Sequence, residues 1–123
     1  MENMNLRNCA YLGDAVWELL IREKTIFLTE NSKKLHEITT SKVKTDFQAK
    51  TLEKIEPYLS ETEKDIARRA RNLPIPIGRR SIQNEYRHAT AFEALIGYWY
   101  LSDKSRFDVI LNKIGLNEEE FCK

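Results

Sequence analysis

The amino-acid sequence predicts an all-α protein, and three observations support this prediction. Apolar residues recur at helical spacing along most of the chain. No segment keeps the alternation of apolar and polar residues that is typical of strands. Capping residues precede several apolar runs, and the short connections between these runs favour helices packed side by side. A chain of 123 residues fits one core, so we expect a single domain over residues 1–123.

The first expected helix covers residues 6–27 and is apolar on nearly all of its faces. Three of its charged residues, Asp14, Glu18 and Arg22, are spaced four apart, so they lie on one stripe of the helix. We therefore expect this helix to be mostly buried.

Local signals predict the boundaries of the other elements. Ser60 and Glu63 have the spacing of a capping box, so a helix should begin there. The expected order is an unbroken helix from Asn31 or Ser32 to about residue 55, a short helix over residues 61–71, a loop with two prolines and Gly78 over residues 72–82, a helix over residues 84–101, and a last helix from Asp103 or Ser105 to Gly115.

Composition favours a soluble globular protein. Apolar residues make up 41% of the chain, which is too many for a disordered protein. The N-terminal residues contain no signal-peptide run, and no stretch approaches the about 20 apolar residues that span a bilayer. Cys9 and Cys122 lack the paired spacing of a zinc site or a disulfide framework. We expect a cytoplasmic location, no membrane contact and two free thiols.

Basic residues cluster in one part of a chain whose net charge is only +1. Residues 68–87 contain one acid, Glu85, and six arginines: Arg68, Arg69, Arg71, Arg79, Arg80 and Arg87. Such a cluster favours a polyanionic partner, although a solvated basic loop without any partner is the alternative.

Two helices each carry an acid among apolar residues. Asp14 follows Gly13 in the first helix, and Glu93 shares a face with Thr90 and Gly97 in the fourth. Carboxylates from two packed helices are suitable ligands for Mg²⁺, which accepts one or two of them and keeps water in its other positions. A glycine beside each acid would allow another backbone to approach closely. The two segments therefore predict a magnesium site.

Each acid also has an alternative interpretation. Asp14 could face water on the stripe with Glu18 and Arg22, and Glu93 could pair with Arg22 or Arg87. The helices alone leave these interpretations open.

The two acidic segments resemble the motifs of a known family. Residues 10–18, with the letters AYLGDAVWE, resemble the signature helix of the ribonuclease III family. Residues 92–97, with the letters FEALIG, followed by Tyr100 and Leu101, resemble its second acidic helix. The motifs come in the order of the family and nearly span the chain. The short length, with no double-stranded-RNA-binding domain attached, resembles the Mini-ribonuclease III subfamily.

The resemblance implies the ribonuclease III endonuclease-domain fold and a Mg²⁺-dependent endoribonuclease that cuts double-stranded RNA to 5′-phosphate and 3′-hydroxyl ends. It assigns metal-binding and catalytic roles to Asp14 and Glu93. Ala10 and Thr90 replace two further acids of full-length ribonuclease III, as in the subfamily, which argues against a second metal site. Glu18 also matches a signature acid, but we interpret it as a structural partner of Arg22. No small-molecule cofactor is implied.

The resemblance also implies that the basic loop binds RNA. Arg71, Arg79 and Arg80, with Asn72, are the expected RNA-binding residues, because duplex RNA is recognised mainly by shape and phosphate charge. The apolar residues 73–77 depart from the polar loop expected of the family. The subfamily resemblance points to maturation of the precursor of large-subunit (23S) ribosomal RNA.

A homodimer is expected because the first helix has more apolar surface than a small domain can cover. The resemblance implies that signature helices pack across a two-fold axis, with Tyr11, Leu12 and Gly13 at the interface and one site for each RNA strand. The principal alternative is a catalytically inactive module that binds structured RNA or a ribonucleoprotein, because two family acids are absent. A protein-interaction domain unrelated to RNA would leave the basic cluster and both acidic motifs unexplained.

Overall fold

Helices form almost all of the regular structure. The computed structural model describes residues 4–75 and 83–113. Within these ranges the elements are α1 (Leu6–Thr25), α2 (Ser32–Val43), α3 (Thr45–Ile55), a 3-10 turn (Glu56–Tyr58), α4 (Glu61–Arg71), α5 (Gln83–Ser102) and α6 (Lys104–Lys113). The described residues contain no strand, and the predicted all-α class is confirmed. Over the same ranges, no helix combines the length and apolarity needed to cross a membrane.

The expectation of a single helix over residues 32–55 is wrong, because the helix is interrupted at Lys44 and divides into α2 and α3. Lys44 has an extended conformation, with φ −76° and ψ 163°. Side chains bind the carbonyl groups beside the break: Trp17 Nε1 donates to the Lys42 oxygen over 2.9 Å, and Gln48 Nε2 donates to the Val43 oxygen over 3.2 Å. A long-range contact from Trp17 and a local one from Gln48 therefore stabilise a break that neither proline nor glycine marks.

The other expected boundaries agree closely with the structure. Ser60 and Glu63 form the predicted capping box at the start of α4. Asp103, rather than Ser105, caps α6 by accepting a hydrogen bond from the Arg106 backbone N–H over 3.1 Å. The predicted end at Gly115 lies outside the described residues.

The core is organised around α5, against which α1, α3 and α4 all pack. The contact between α1 and α5 is the most extensive. Trp17 of α1 meets Phe92 of α5 edge to face, with ring centroids 4.9 Å apart. Both rings are fully buried, so this pair fixes the two helices that carry the predicted acids.

One side of α1 faces solvent, which corrects the expectation that this helix is mostly buried. Trp17 and Ile21 are buried, but Tyr11, Leu19 and Ile26 are more than half exposed. Apolar residues on nearly every face of α1 therefore supply the core on one side and leave an apolar surface on the other.

A buried carboxylate joins α4 to α5 and α6. Glu63 accepts hydrogen bonds from Trp99 Nε1, from the Ser60 N–H, and from Arg106 at 2.9 Å to each carboxylate oxygen. Arg106 also donates to the Tyr58 carbonyl oxygen. Burial opposes the charged form of Glu63, but these donors outweigh it and lower its pKa to about 2.

We expect Arg106→Met to lower the free energy of unfolding by at least about 2 kcal/mol, because it leaves the Glu63 carboxylate buried without its charged partner. Since folding lowers the pKa of Glu63 from 4.5, this stability is fully present above pH 4.5 and is lost as the pH falls towards 2. Urea denaturation at pH 7 and pH 3 measures both effects. Arg68→Met is the control, because the Arg68–Asp65 pair is exposed and should matter clearly less. Equal losses in the two variants would contradict the role assigned to Glu63.

Candidate active site

The structure brings the two predicted acids together. Asp14 lies on the exposed side of α1 and Glu93 is half-buried on α5. The Asp14 carboxyl group is close enough to Glu93 to contribute to the raised pKa of Glu93. The arginines considered as partners of Glu93 have other contacts: Arg22 lies 3.5 Å from Glu18, and Arg87 donates to the Arg71 carbonyl oxygen over 2.8 Å. The site is therefore a pair of carboxyl groups from two helices.

Two glycines allow α1 and α5 to come this close. A Cβ atom added to Gly13 would lie 1.8 Å from the Glu93 carbonyl oxygen, and one added to Gly97 would lie 2.0 Å from the Cys9 carbonyl oxygen. Each distance is far below any tolerable contact. The backbones therefore touch directly at the level of the acids. We call this contact between Gly13 and Gly97 the glycine crossing.

The environment of Glu93 strongly favours its neutral form. Burial is the largest cause, and hydrogen bonding to Asp14 and the charge of Asp14 act in the same direction, raising the pKa of Glu93 to about 9. A hydrogen bond with Gln48 acts in the opposite direction. At neutral pH the Glu93 carboxyl group therefore favours its protonated form. A bound cation would offset the repulsion between the two carboxylates.

The sequence analysis missed Gln48 as a residue of the site. Gln48 lies on α3 and is only 3% exposed. Its position relative to Leu52 and Ile55, four and seven residues later, puts it on the buried side of α3. A polar residue in that register was the signal available in the sequence.

The donor set fits one hard cation. Two carboxylates from packed helices match the preference of Mg²⁺ for one or two protein carboxylates with water or phosphate oxygen in the other positions. Residues 4–75 and 83–113 contain no group of three or more acidic, histidine or cysteine side chains placed to hold a metal ion. Ala10 and Thr90, each about one turn before an acid of the pair, supply no carboxylate.

Comparison with known proteins identifies the family. The model of the Ribonuclease III domain matches residues 7–104, which include both acids and the glycine crossing. This chain belongs to the ribonuclease III family. The prediction that it is an endoribonuclease of the ribonuclease III type is confirmed, and so is the resemblance to the short subfamily.

Relatives of similar length support this assignment. A protein named Mini-ribonuclease 3 from Gloeobacter violaceus is 41% identical over 91% of this chain and 83% of its own length. Another of that name from a Thermoanaerobacter species is 42% identical over 88% of this chain and 76% of its own. A crystal structure of a protein from Fusobacterium nucleatum superposes with a TM-score of 0.80 and 36% identity, covering 89% of this chain and 91% of that one.

The predicted RNA-binding residues of this ribonuclease III family member are only partly described. Arg71 ends α4, is half-buried and lies 3.8 Å from Glu56, whereas Asn72 is exposed at the C-cap. Arg79 and Arg80 fall outside the described residues. Arg7 of α1 donates a hydrogen bond to the Pro74 carbonyl oxygen over 3.3 Å, so the residues that follow α4 are linked to α1.

The predicted interface residues have different environments. Tyr11 is 83% exposed and Leu12 is half-buried, whereas Gly13 is buried against α5 of the same chain. The backbone contact recorded for Gly13 lies within one chain. Placement of these three residues at a dimer interface stays a prediction.

We expect Gly13→Ala to lower the free energy of unfolding by at least about 2 kcal/mol, because the new methyl group would force α1 and α5 apart. Alanine is normally about 1 kcal/mol better than glycine inside a helix, so the sign of the change is informative. Chemical denaturation measures it. Ala15→Gly, at an exposed position of the same helix, calibrates the helix-propensity term. An increase in stability for Gly13→Ala would contradict the glycine crossing.

Proposed function

We propose that this family member is a Mg²⁺-dependent endoribonuclease that cuts double-stranded RNA, leaving 5′-phosphate and 3′-hydroxyl ends, and that it acts as a homodimer. The observation that carries the proposal is the convergence of Asp14 and Glu93 at the glycine crossing. Membership of the ribonuclease III family supports duplex RNA as the substrate class. Maturation of the 23S ribosomal RNA precursor, a cytoplasmic location and a single catalytic domain over residues 1–123 belong to the same proposal.

The proposed site divides the work between its two carboxylates. Mg²⁺ held by Asp14 and Glu93 would activate water and stabilise charge on the phosphodiester. Asp14 is exposed, so it lies where RNA can approach, whereas Glu93 is half-buried and fixed by its neighbours. The rigid contact of α1 with α5 keeps the two groups at a constant separation, which limits reorganisation during the reaction.

Phosphate recognition is assigned to the arginine-containing segment over residues 71–80. Arg71 and Asn72 lie at its start, and Arg79 and Arg80 complete the proposed set. Arginine suits this role because its guanidinium matches phosphate geometry and is always charged. This segment would supply part of the electrostatic attraction to the phosphates of the A-form RNA backbone.

The homodimer is supported by the apolar side of α1. Tyr11, Leu19 and Ile26 are exposed at positions on one face of the helix, and Phe27 just beyond it is 93% exposed. A contiguous exposed apolar surface commonly marks a protein interface. Because Asp14 lies on the same helix, pairing of two α1 helices would put two sites on one assembly, one for each strand.

Cleavage should depend on both acids. We expect Asp14→Asn and Glu93→Gln each to reduce cleavage of a labelled RNA duplex in Mg²⁺ at least about 1000-fold, because each removes charge that the metal ion needs. Both variants should remain folded by circular dichroism. Glu18→Gln is the control, since Glu18 is exposed and pairs with Arg22. Near wild-type cleavage by either acid variant would contradict the site, and duplex binding without cleavage by the wild-type chain would favour the inactive RNA-binding module.

Dimerisation should depend on the exposed side of α1. We expect light scattering at micromolar concentration to give twice the 14.5 kDa chain mass, and Leu19→Glu to give a monomer that no longer makes paired cuts. Leu101→Glu is the matched control, because Leu101 is exposed to a similar degree on α5. A wild-type monomer that still cuts both strands would exclude the dimer.

A further inference from the structure

Two arginines differ from the others because they have no acidic partner. Each of the other arginines that the structure describes lies 2.6 to 3.8 Å from a carboxylate oxygen; these are Arg22, Arg68, Arg69, Arg71 and Arg106. Arg7 on α1 and Arg87 on α5 form no ion pair with any residue in the ranges 4–75 and 83–113. A guanidinium group is always charged, so both residues carry positive charge that no described neighbour offsets.

Arg7 and Arg87 line the same surface cleft, although they lie far apart in the sequence. The polar lining is completed by Arg71, Tyr86 and Thr90. No carboxylate is among the described side chains that line this cleft. Three guanidinium groups in one concave surface create a local positive potential, which attracts an anion.

Backbone hydrogen bonds hold both arginines at the cleft. Arg7 donates to the Pro74 carbonyl oxygen over 3.3 Å, and Arg87 donates to the Arg71 carbonyl oxygen over 2.8 Å. A carbonyl oxygen is uncharged, so these bonds fix the side chains without offsetting their charge. Because a guanidinium group has five N–H donors, each arginine keeps several of them for a ligand.

The cleft borders the acid pair along both helices of the glycine crossing. On α5, Thr90 lies three residues before Glu93, which is about one helical turn. On α1, Arg7 lies seven residues before Asp14, so the two share a face about two turns apart. An RNA strand with one phosphodiester at the acid pair also has phosphates on either side of it. The cleft is therefore suitably placed for one of these flanking phosphates.

We propose that Arg7 and Arg87 form a phosphate-binding subsite beside the acid pair, which takes a phosphate of the duplex RNA other than the one that is cut. This inference rests on the proposed function, because it assumes that duplex RNA lies over Asp14 and Glu93. It adds side chains of α1 and α5 to the RNA contacts assigned to residues 71–80. Hydrogen bonds from a guanidinium group to a phosphate are charge-assisted, which suits both arginines to this role.

The test measures binding of a labelled RNA duplex to the full chain by fluorescence anisotropy over a range of salt concentrations. Ca²⁺ replaces Mg²⁺, and a gel checks that the duplex stays uncut. Each phosphate contact contributes about one unit to the slope of log affinity against log salt. Arg7→Gln should therefore bind at least about threefold more weakly at about 0.1 M salt, with a slope about one unit shallower. Arg7→Lys keeps the charge and should restore most of the slope.

Arg87→Gln tests the second arginine of the subsite. It should make the slope shallower in the same way, and circular dichroism checks that it is folded. Arg7 is exposed in the first turn of α1, so its variants decide the outcome even where loss of the Arg87 hydrogen bond disturbs folding.

Arg22→Gln is the matched control. It removes the same charge from the same helix, but it lies about 22 Å from Arg7 at about 1.5 Å per residue and is paired with Glu18. Its slope should stay close to that of the wild type. An unchanged slope in Arg7→Gln, or an equal change in Arg22→Gln, would overturn the inference.

The wild-type chain separates the subsite from the proposed function. If the wild type does not bind the duplex at all, the proposed function is wrong and the inference falls with it. If the wild type binds the duplex but the slope of Arg7→Gln is unchanged, the proposed function stands and only the subsite is wrong.

Discussion

The backbone contact between α1 and α5 is the constraint on which the rest of the structure depends. Two side chains of ordinary length could meet across a wider gap, but the chain instead has glycine at both contact points, Gly13 and Gly97. The contact carries Asp14 and Glu93 into one small site and partly buries Glu93. Repulsion and burial then leave a pair of carboxyl groups that a cation can stabilise. Architecture and chemistry are therefore consequences of one close approach.

The other helices maintain this contact in different ways. Trp17 fills the space between α1 and α5 and also binds the end of α2, so the second helix pair is tied to the site. About two turns further along α5, Glu63 accepts hydrogen bonds from Trp99 and Arg106 and holds α4 and α6 in place. Packing thus supports the helix that carries Glu93 at two levels along its length.

Much of the fold was predictable from local sequence signals. Capping at Ser60 and the apolar spacing of the helices require only neighbouring residues. The resemblance of the two acidic segments to family motifs singled out Asp14 and Glu93, whose helices meet in the structure, and their role at an active site stays a prediction. The break at Lys44 was not predictable, because its causes are Trp17, far away in the sequence, and Gln48, whose importance depends on tertiary packing. The sequence indicated that the first helix has more apolar surface than one chain can cover, but apolarity alone did not show which side of α1 is exposed.

We propose that the glycine crossing builds a one-metal site from Asp14 and Glu93. The most direct measurement is a crystal structure of the protein grown with Mn²⁺, with the ion located by its anomalous scattering. We expect one Mn²⁺ per chain, bound to carboxylate oxygens of both residues at about 2.0 to 2.2 Å, the range for small hard divalent ions. Manganese bound elsewhere in the chain, or two ions bridged at this site, would contradict it.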